Sequence, residues 1–374
     1  RLTFSAGDGT LRARLSGVLT IEEYQVEQPV PGLVFTEGHN LFNPRLVLFL
    51  DGQLGANVLG FVQARVDRGF DPSNNGLRLR LGECALIFVL GPDGNSNLQV
   101  GQFATVIGNW VRRHDSRYNP FVNAPLPYEN VTAIKDSEAP ASPGEFRTMD
   151  PAERYEHNPI IWGPSYASGI SFSGRQGRLE YAVELKNSGP AARPESWSIR
   201  HVGFGRPAYA ARVGFRPDLR WNLGFSASDS VYYQPTVANF PIGTSRHDYR
   251  ERLLAHDVYF AWQHLQVWAE IFHAQFDVPR IGTVRTLAGY VESKYKFTPQ
   301  LYGALRWNRQ RFSTINSGTG GRLPWGHDLW RIDTASGYRF TSHLDLKLQV
   351  SVQSEATGPE REQLNYAAQF NVRF

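Results

Sequence analysis

Along much of this chain apolar and polar residues alternate one for one. Near the C-terminus Leu364, Tyr366, Ala368, Phe370, Val372 and Phe374 interleave with Asn365, Ala367, Gln369, Asn371 and Arg373, which puts the larger apolar groups on one face of a β-strand. Leu344, Leu346, Leu348, Val350 and Val352 oppose Asp345, Lys347, Gln349, Ser351 and Gln353 in the same way. Near the N-terminus Leu11, Ala13, Leu15, Gly17, Leu19 and Ile21 oppose Arg12, Arg14, Ser16, Thr20 and Glu22. Carried through the chain, this period predicts sixteen strands, starting near residues 10, 42, 54, 76, 97, 166, 177, 206, 219, 252, 265, 283, 300, 327, 343 and 361.

The connections fall into two alternating classes. Those at 51–52, 91–96, 174–176, 217–218, 263–264, 298–299 and 341–342 are short, whereas those at about 25–41, 105–165, 188–205, 231–251 and 313–326 are long. Short turns at one end and long loops at the other are the mark of a β-barrel that crosses a membrane, and an even strand number returns both termini to the short-turn end. Phe215, Trp221, Trp262, Phe297, Phe340 and Phe374 recur beside the short turns, where an aromatic girdle meets the lipid interface. The predicted fold is therefore all-β: a transmembrane antiparallel up-and-down barrel of sixteen strands, residues 1–374 forming one domain. The 105–165 connection is far longer than a hairpin needs, and structureless loops of that size are usually functional. A sixteen-stranded barrel has an aqueous lumen, so this loop is expected to fold inward and narrow it.

Composition removes several classes of function. The only cysteine, Cys84, cannot pair within the chain, and no thiolate zinc site, iron–sulfur cluster or c-type haem attachment is possible. Cys84 itself, in an apolar strand, is expected to pack. Asp93, Asn95 and Asn97 make a calcium-like fragment without a downstream Glu and read as a polar turn. No metal or cofactor is expected. No run of about 18 apolar residues occurs, so no membrane-spanning helix is predicted. The net charge is +4, with basic residues scattered among 35 acids rather than clustered, which argues against nucleic acid as a partner. Gly-x-Ser-x-Gly, P-loop and His-Glu-x-x-His motifs are absent. His256 with Asp257 and His327 with Asp328 are neighbours that a strand would point to opposite faces, so no enzyme is expected. The start at Arg1, without Met or an apolar leader, suggests a mature exported chain whose signal peptide has been removed.

The inward phase of the strands offers Arg12, Arg14, Arg65, Arg78 and Arg80. The long loop adds Arg112, Arg113 and Arg117, followed by Glu129, Asp136, Glu138 and Glu145. Loop acids facing wall arginines would set a transverse field across the lumen. Over all inward positions basic groups outnumber acids, which predicts a mild anion preference. The loop aromatics Trp110, Tyr118, Phe121, Tyr128 and Trp162 offer a second reading, a stacking track for sugars.

The terminal Phe374, after alternating aromatics and aliphatics, resembles the C-terminal signal of Gram-negative outer-membrane proteins. The stretch 77–109, with Leu98-Gln99-Val100-Gly101-Gln102-Phe103 after a strand and turn, resembles a hairpin of the porin O/P, phosphate-selective, group of outer-membrane porins. The resemblance implies a homotrimer in a lipid bilayer with lipopolysaccharide, passing small polar or anionic solutes passively. The lysines are Lys135, Lys186, Lys294, Lys296 and Lys347. They do not reproduce the lysine cluster of the phosphate-selective members, so that selectivity is not carried over. An alternative use of the same barrel is a scaffold that holds surface loops or sheathes a partner such as an electron carrier.

Overall fold

The computed structural model describes residues 2–26, 39–67, 78–91, 93–149, 156–198, 205, 207–318, 320–355 and 362–374. Arg1 and Leu77 of the sequence reading lie outside them. The strands are β1 Leu2–Ala6, β2 Leu11–Val26, β3 Asn40–Leu54, β4 Val58–Asp67, β5 Arg78–Leu90, β6 Ser96–Phe103, β7 Ala167–Gln176, β8 Leu179–Lys186, β9 Ala208–Phe215 and β10 Trp221–Val231. They continue as β11 Arg250–Trp262, β12 Leu265–Val278, β13 Gly282–Lys296, β14 Leu301–Phe312, β15 Thr314–Asn316, β16 Arg322–Pro324, β17 Leu329–Arg339, β18 Leu344–Glu355 and β19 Glu362–Arg373. β15 and β16 form a separate hairpin in the connection after β14. The main sheet has seventeen strands. One of them, β1, pairs with the first residues of β2. The other sixteen run antiparallel in sequence order, β14 pairs with β17, and β19 closes the ring on β2 from Asn365↔Val26 to Arg373↔Val18.

Each of the sixteen begins within four residues of its predicted start. Hydrophobic alternation fixes register wherever one face must be sequestered, and here the usual sense is inverted. On β14, Leu305 and Trp307 are 52% and 47% exposed while Arg306 and Asn308 between and beside them are fully buried. A water-soluble sheet hides its apolar face; this barrel displays it and hides the polar one, as a membrane barrel does. Phe215, Trp221, Trp262, Phe297, Phe340 and Phe374 all lie on the outer surface at the short-turn end, 39–63% exposed.

The seam depends on a glycine. Gly17 N–H donates to the Phe374 carbonyl at 3.0 Å and Phe374 N–H returns the bond at 3.0 Å. A Cβ on residue 17 would stand 2.5 Å from the Phe374 ring, so a larger residue there would push that ring off β2. One irregularity interrupts the alternation: β5 shifts register against β4 between Gln63 and Ala64. The carbonyls of Leu81 and Gly82, left unpaired by this bulge, accept from Gln102 Nε2 at 3.1 and 2.8 Å. Just beyond it Cys84 is exposed, on the outer face rather than in a packed interior.

Candidate functional site

Among its described residues the connection between Phe103 and Ala167 contains two short helices, α1 Leu126–Glu129 and α2 Pro143–Arg147, a 3₁₀ turn at Val111–Arg113 and an isolated bridge between Lys135 and His157. Such a segment leaves many backbone groups in need of partners, and the inner wall of the barrel supplies them. On β8, Glu184 accepts from the Thr105 hydroxyl and the Val106 N–H, both at 3.3 Å. On β12, Glu270 accepts from Asn109 N–H, from Trp110 N–H at 2.9 Å and from the Tyr128 hydroxyl at 2.7 Å. On β18, Lys347 donates to the carbonyls of Ser116 at 2.5 Å and Asn119 at 2.8 Å, and Gln349 accepts from Val122 N–H at 2.7 Å. On β14, Asn308 accepts from Leu126 N–H at 3.2 Å and Gln310 from Asn130 at 2.9 Å. Wall carboxylates thus take loop N–H groups while wall cations cover loop carbonyls, in charge-assisted bonds stronger than neutral ones.

Six buried charges complete the attachment. Loop Arg113 pairs with Glu292 on β13, Glu292 lies 3.6 Å from Arg306, and Arg306 lies 2.8 Å from Asp333. Asp333 then lies 3.0 Å from Arg331, which pairs with loop Glu129. The series alternates in sign and sums to zero, the condition under which buried charge is tolerable. Burial works against the Arg113 charge, but Glu292 and its neighbours outweigh it and hold the guanidinium above its usual range. An apolar layer lies alongside: Ile107, Trp110, Tyr128, Ile134 and Ile161 of the loop pack on Leu253, Phe272, Phe276, Val284 and Tyr290 of β11–β13.

The opposite wall is different. Inward positions of β12–β14 such as Glu270, Phe272, Glu292, Arg306 and Asn308 are buried, whereas Asn43, Arg45, Phe49, Asp51, Phe61 and Arg65 on β3 and β4 keep partial exposure. The loop therefore leans chiefly against β12–β14, although Val122 also packs on Tyr24 and Val26 of β2, and it leaves a partly exposed strip that crosses β2–β5 through Arg14, Arg45, Arg65 and Arg80. Arg14 and Asp51 meet there at 2.6 Å, each about half exposed. Arg45 pairs with Glu22, and Arg65 (2.8 Å) and Arg80 share Asp67. On the loop side His114 and Asp115 come within electrostatic reach of Arg45. Burial holds the His114 imidazole below its usual range; its Nδ1 meets the Val111 carbonyl and its Nε2 the Tyr166 hydroxyl, each at 2.6 Å.

A closed sixteen-stranded ring, apolar outside and charged inside, with one long loop bound to the inner wall, has counterparts among solved structures. The outer membrane channel DcaP of Acinetobacter baumannii is 12% identical, with a TM-score of 0.60 over 99% of each chain. The chain has the porin fold. OmpF of Salmonella typhi, in a complex with daunomycin, is 10% identical with a TM-score of 0.60, over 99% of this chain and 100% of that one. An anion-selective porin from Comamonas acidovorans is 9% identical with a TM-score of 0.58, over 97% of this chain and 100% of that one. No family model and no curated protein matches the sequence.

Within this porin fold the sequence-predicted residues separate into groups. Arg14, Arg65 and Arg80 lie on the solvated strip; Arg78 opens β5 in register with Asp67. Arg12 is exposed at the start of β2, its Nε donating to the Gly9 carbonyl at 3.3 Å. Arg112 is 52% exposed and 3.8 Å from Glu180, whereas Arg113 is a buried anchor. Arg117 sits in a loop turn and its Nε is buried without a hydrogen-bond partner. Asp136 is fully buried, 2.7 Å from Arg193 of the connection after β8. Glu138 is exposed and lines a small cavity with Lys135, Glu145 and Phe146. Asp136 and Glu138 are therefore not brought to the wall arginines, because other loop residues supply their surroundings. The sugar track is also not assembled. Trp110, Phe121, Tyr128 and Trp162 are buried against wall and loop, with Arg306 stacked 4.2 Å from the Phe121 ring, and only Tyr118 is exposed. His256 lies against Phe225, ring centroids 5.0 Å apart, while Asp257 is buried against Arg212 at 2.6 Å, so these neighbours form no dyad.

Sequence reasoning missed the anchors Glu270, Asn308, Gln310, Lys347 and Gln349 as a set. A signal was present: Leu253, Phe272, Phe276 and Val284 share the inward phase with them, and apolar groups facing a lumen imply something that covers them.

Proposed function

We propose that this chain is an outer-membrane porin, a water-filled channel through which small hydrophilic solutes and ions diffuse passively, with a mild preference for anions. The observation that carries this reading is the partly exposed strip across β2–β5, which persists although the loop fills the space along β12–β14. The described inward charges of β2–β5 include Arg12, Arg14, Arg45, Arg65 and Arg80 against Glu22, Asp51, Asp67 and Glu83, a small positive excess that favours anions. The exposed apolar belt with its aromatic rim fits insertion in a lipid bilayer with lipopolysaccharide, after signal-peptide removal. A homotrimer is in keeping with the trimer form recorded for OmpT of Vibrio cholerae, which shares the fold.

Liposome swelling tests the passage. Vesicles carrying the folded barrel should swell in iso-osmotic small sugars, faster for pentoses than for disaccharides, while protein-free vesicles do not. Vesicles that stay shut with correctly folded protein would favour the scaffold reading, in which the lumen is closed.

A further inference from the structure

At the short-turn mouth a cavity of about 230 Å³ is lined by Arg14, Ser16, Arg117, Arg339, Ser342, His343, Arg373 and Phe374. Two of its four arginines are already compensated: Arg14 by Asp51 at 2.6 Å, and Arg373 by Asp345. Arg117 and Arg339 have no carboxylate within ion-pair distance among the described residues. Arg117 is not a drifting side chain. Its turn is closed by Tyr118 and Asn119 N–H groups donating to the Asp115 carbonyl, both at 2.9 Å. The Asp115 carboxylate accepts from Arg117 N–H at 2.7 Å, and Lys347 holds the carbonyls of Ser116 and Asn119 on either side. The loop is thus built to hold one guanidinium, 5.7 Å from the Tyr118 ring, at the wall of a cavity that is also lined by a second cation with no carboxylate at ion-pair distance.

We propose that Arg117 and Arg339, flanked by Arg14, Arg373 and the Ser16 and Ser342 hydroxyls, form a subsite for a small divalent oxyanion at the short-turn mouth. Two uncompensated charges match a dianion, and guanidinium groups match the paired oxygens of a tetrahedral oxyanion better than they match a spherical halide. The inference refines the channel reading and rests on it only for its role in transport.

Sulfate is the probe, because it stays divalent at neutral pH. Calorimetric titration of the full-length folded protein in detergent, at constant chloride, should show saturable sulfate binding. Arg117→Gln and Arg339→Gln should each weaken it about tenfold. Arg216→Gln, whose residue pairs with Glu180 at 2.5 Å away from this cavity, should leave it unchanged. Heat-dependent gel mobility checks folding; if Arg117→Gln does not fold, Arg339→Gln, exposed at the end of β17, carries the test. No saturable binding in the parent protein, or equal weakening by Arg216→Gln, would overturn the subsite. Binding without conductance would support the subsite while removing the channel reading, and conductance without binding would do the reverse.

Discussion

Arg306→Ala is expected to destabilise the folded barrel by about 3–5 kcal/mol, the cost of removing one partner from a buried ionic set. The side chain is fully buried and central to the alternating series Arg113, Glu292, Arg306, Asp333, Arg331, Glu129. Its loss leaves three carboxylates against two cations in a place with little water. It also removes one of the two donors to the carbonyl of Ala124 and to the Asn123 amide oxygen, which Nη2 reaches at 3.1 and 2.6 Å beside Arg331 and Gln349. Equilibrium urea unfolding in vesicles or detergent measures the change. A shift below about 1 kcal/mol, the value typical of exposed pairs, would mean that the series is hydrated and that the loop is not fastened as described.

The second large effect concerns the loop itself. Phe103 and Ala167 are register partners on β6 and β7, so a turn of about four residues can replace the 104–166 connection without disturbing the ring. The shortened barrel should conduct roughly twice as well as the parent or better, since the segment that fills one side of the lumen is gone. Stability should fall at the same time, because Leu253, Phe272, Phe276 and Val284 would face water. Single-channel recording decides the matter, and unchanged conductance in a folded deletion would show that the limiting constriction lies elsewhere.

The barrel was legible in the sequence because a strand's side-chain period is two, and a membrane barrel exposes that period to a solvent of opposite polarity on each face. Leu344 to Val352 and Leu364 to Phe374 carry enough alternation to fix strand, face and register together. What the loop would do was legible only in outline. That it turns inward followed from its length, but which charges pair across it depends on contacts far apart in sequence, such as Glu129 with Arg331 and Arg113 with Glu292. A balance summed over inward positions does not show that Arg306 and Arg331 are neutralised locally by Glu292, Asp333 and the loop's Glu129. Likewise Asp136 looked like a lumen acid until Arg193, from another connection, was seen to enclose it. The β5 bulge left no trace in the alternation beyond the Gly82-Glu83-Cys84 interruption.

The central claim is that a solvated, arginine-rich strip along β2–β5 remains open to ions beside the fastened loop. The reversal potential of the purified protein in a planar bilayer, under a tenfold KCl gradient, tests it most directly. Discrete open steps with an anion-selective potential, weakened by Arg65→Gln, are the expected result. A cation-selective potential, or a folded barrel with no conductance, would contradict it.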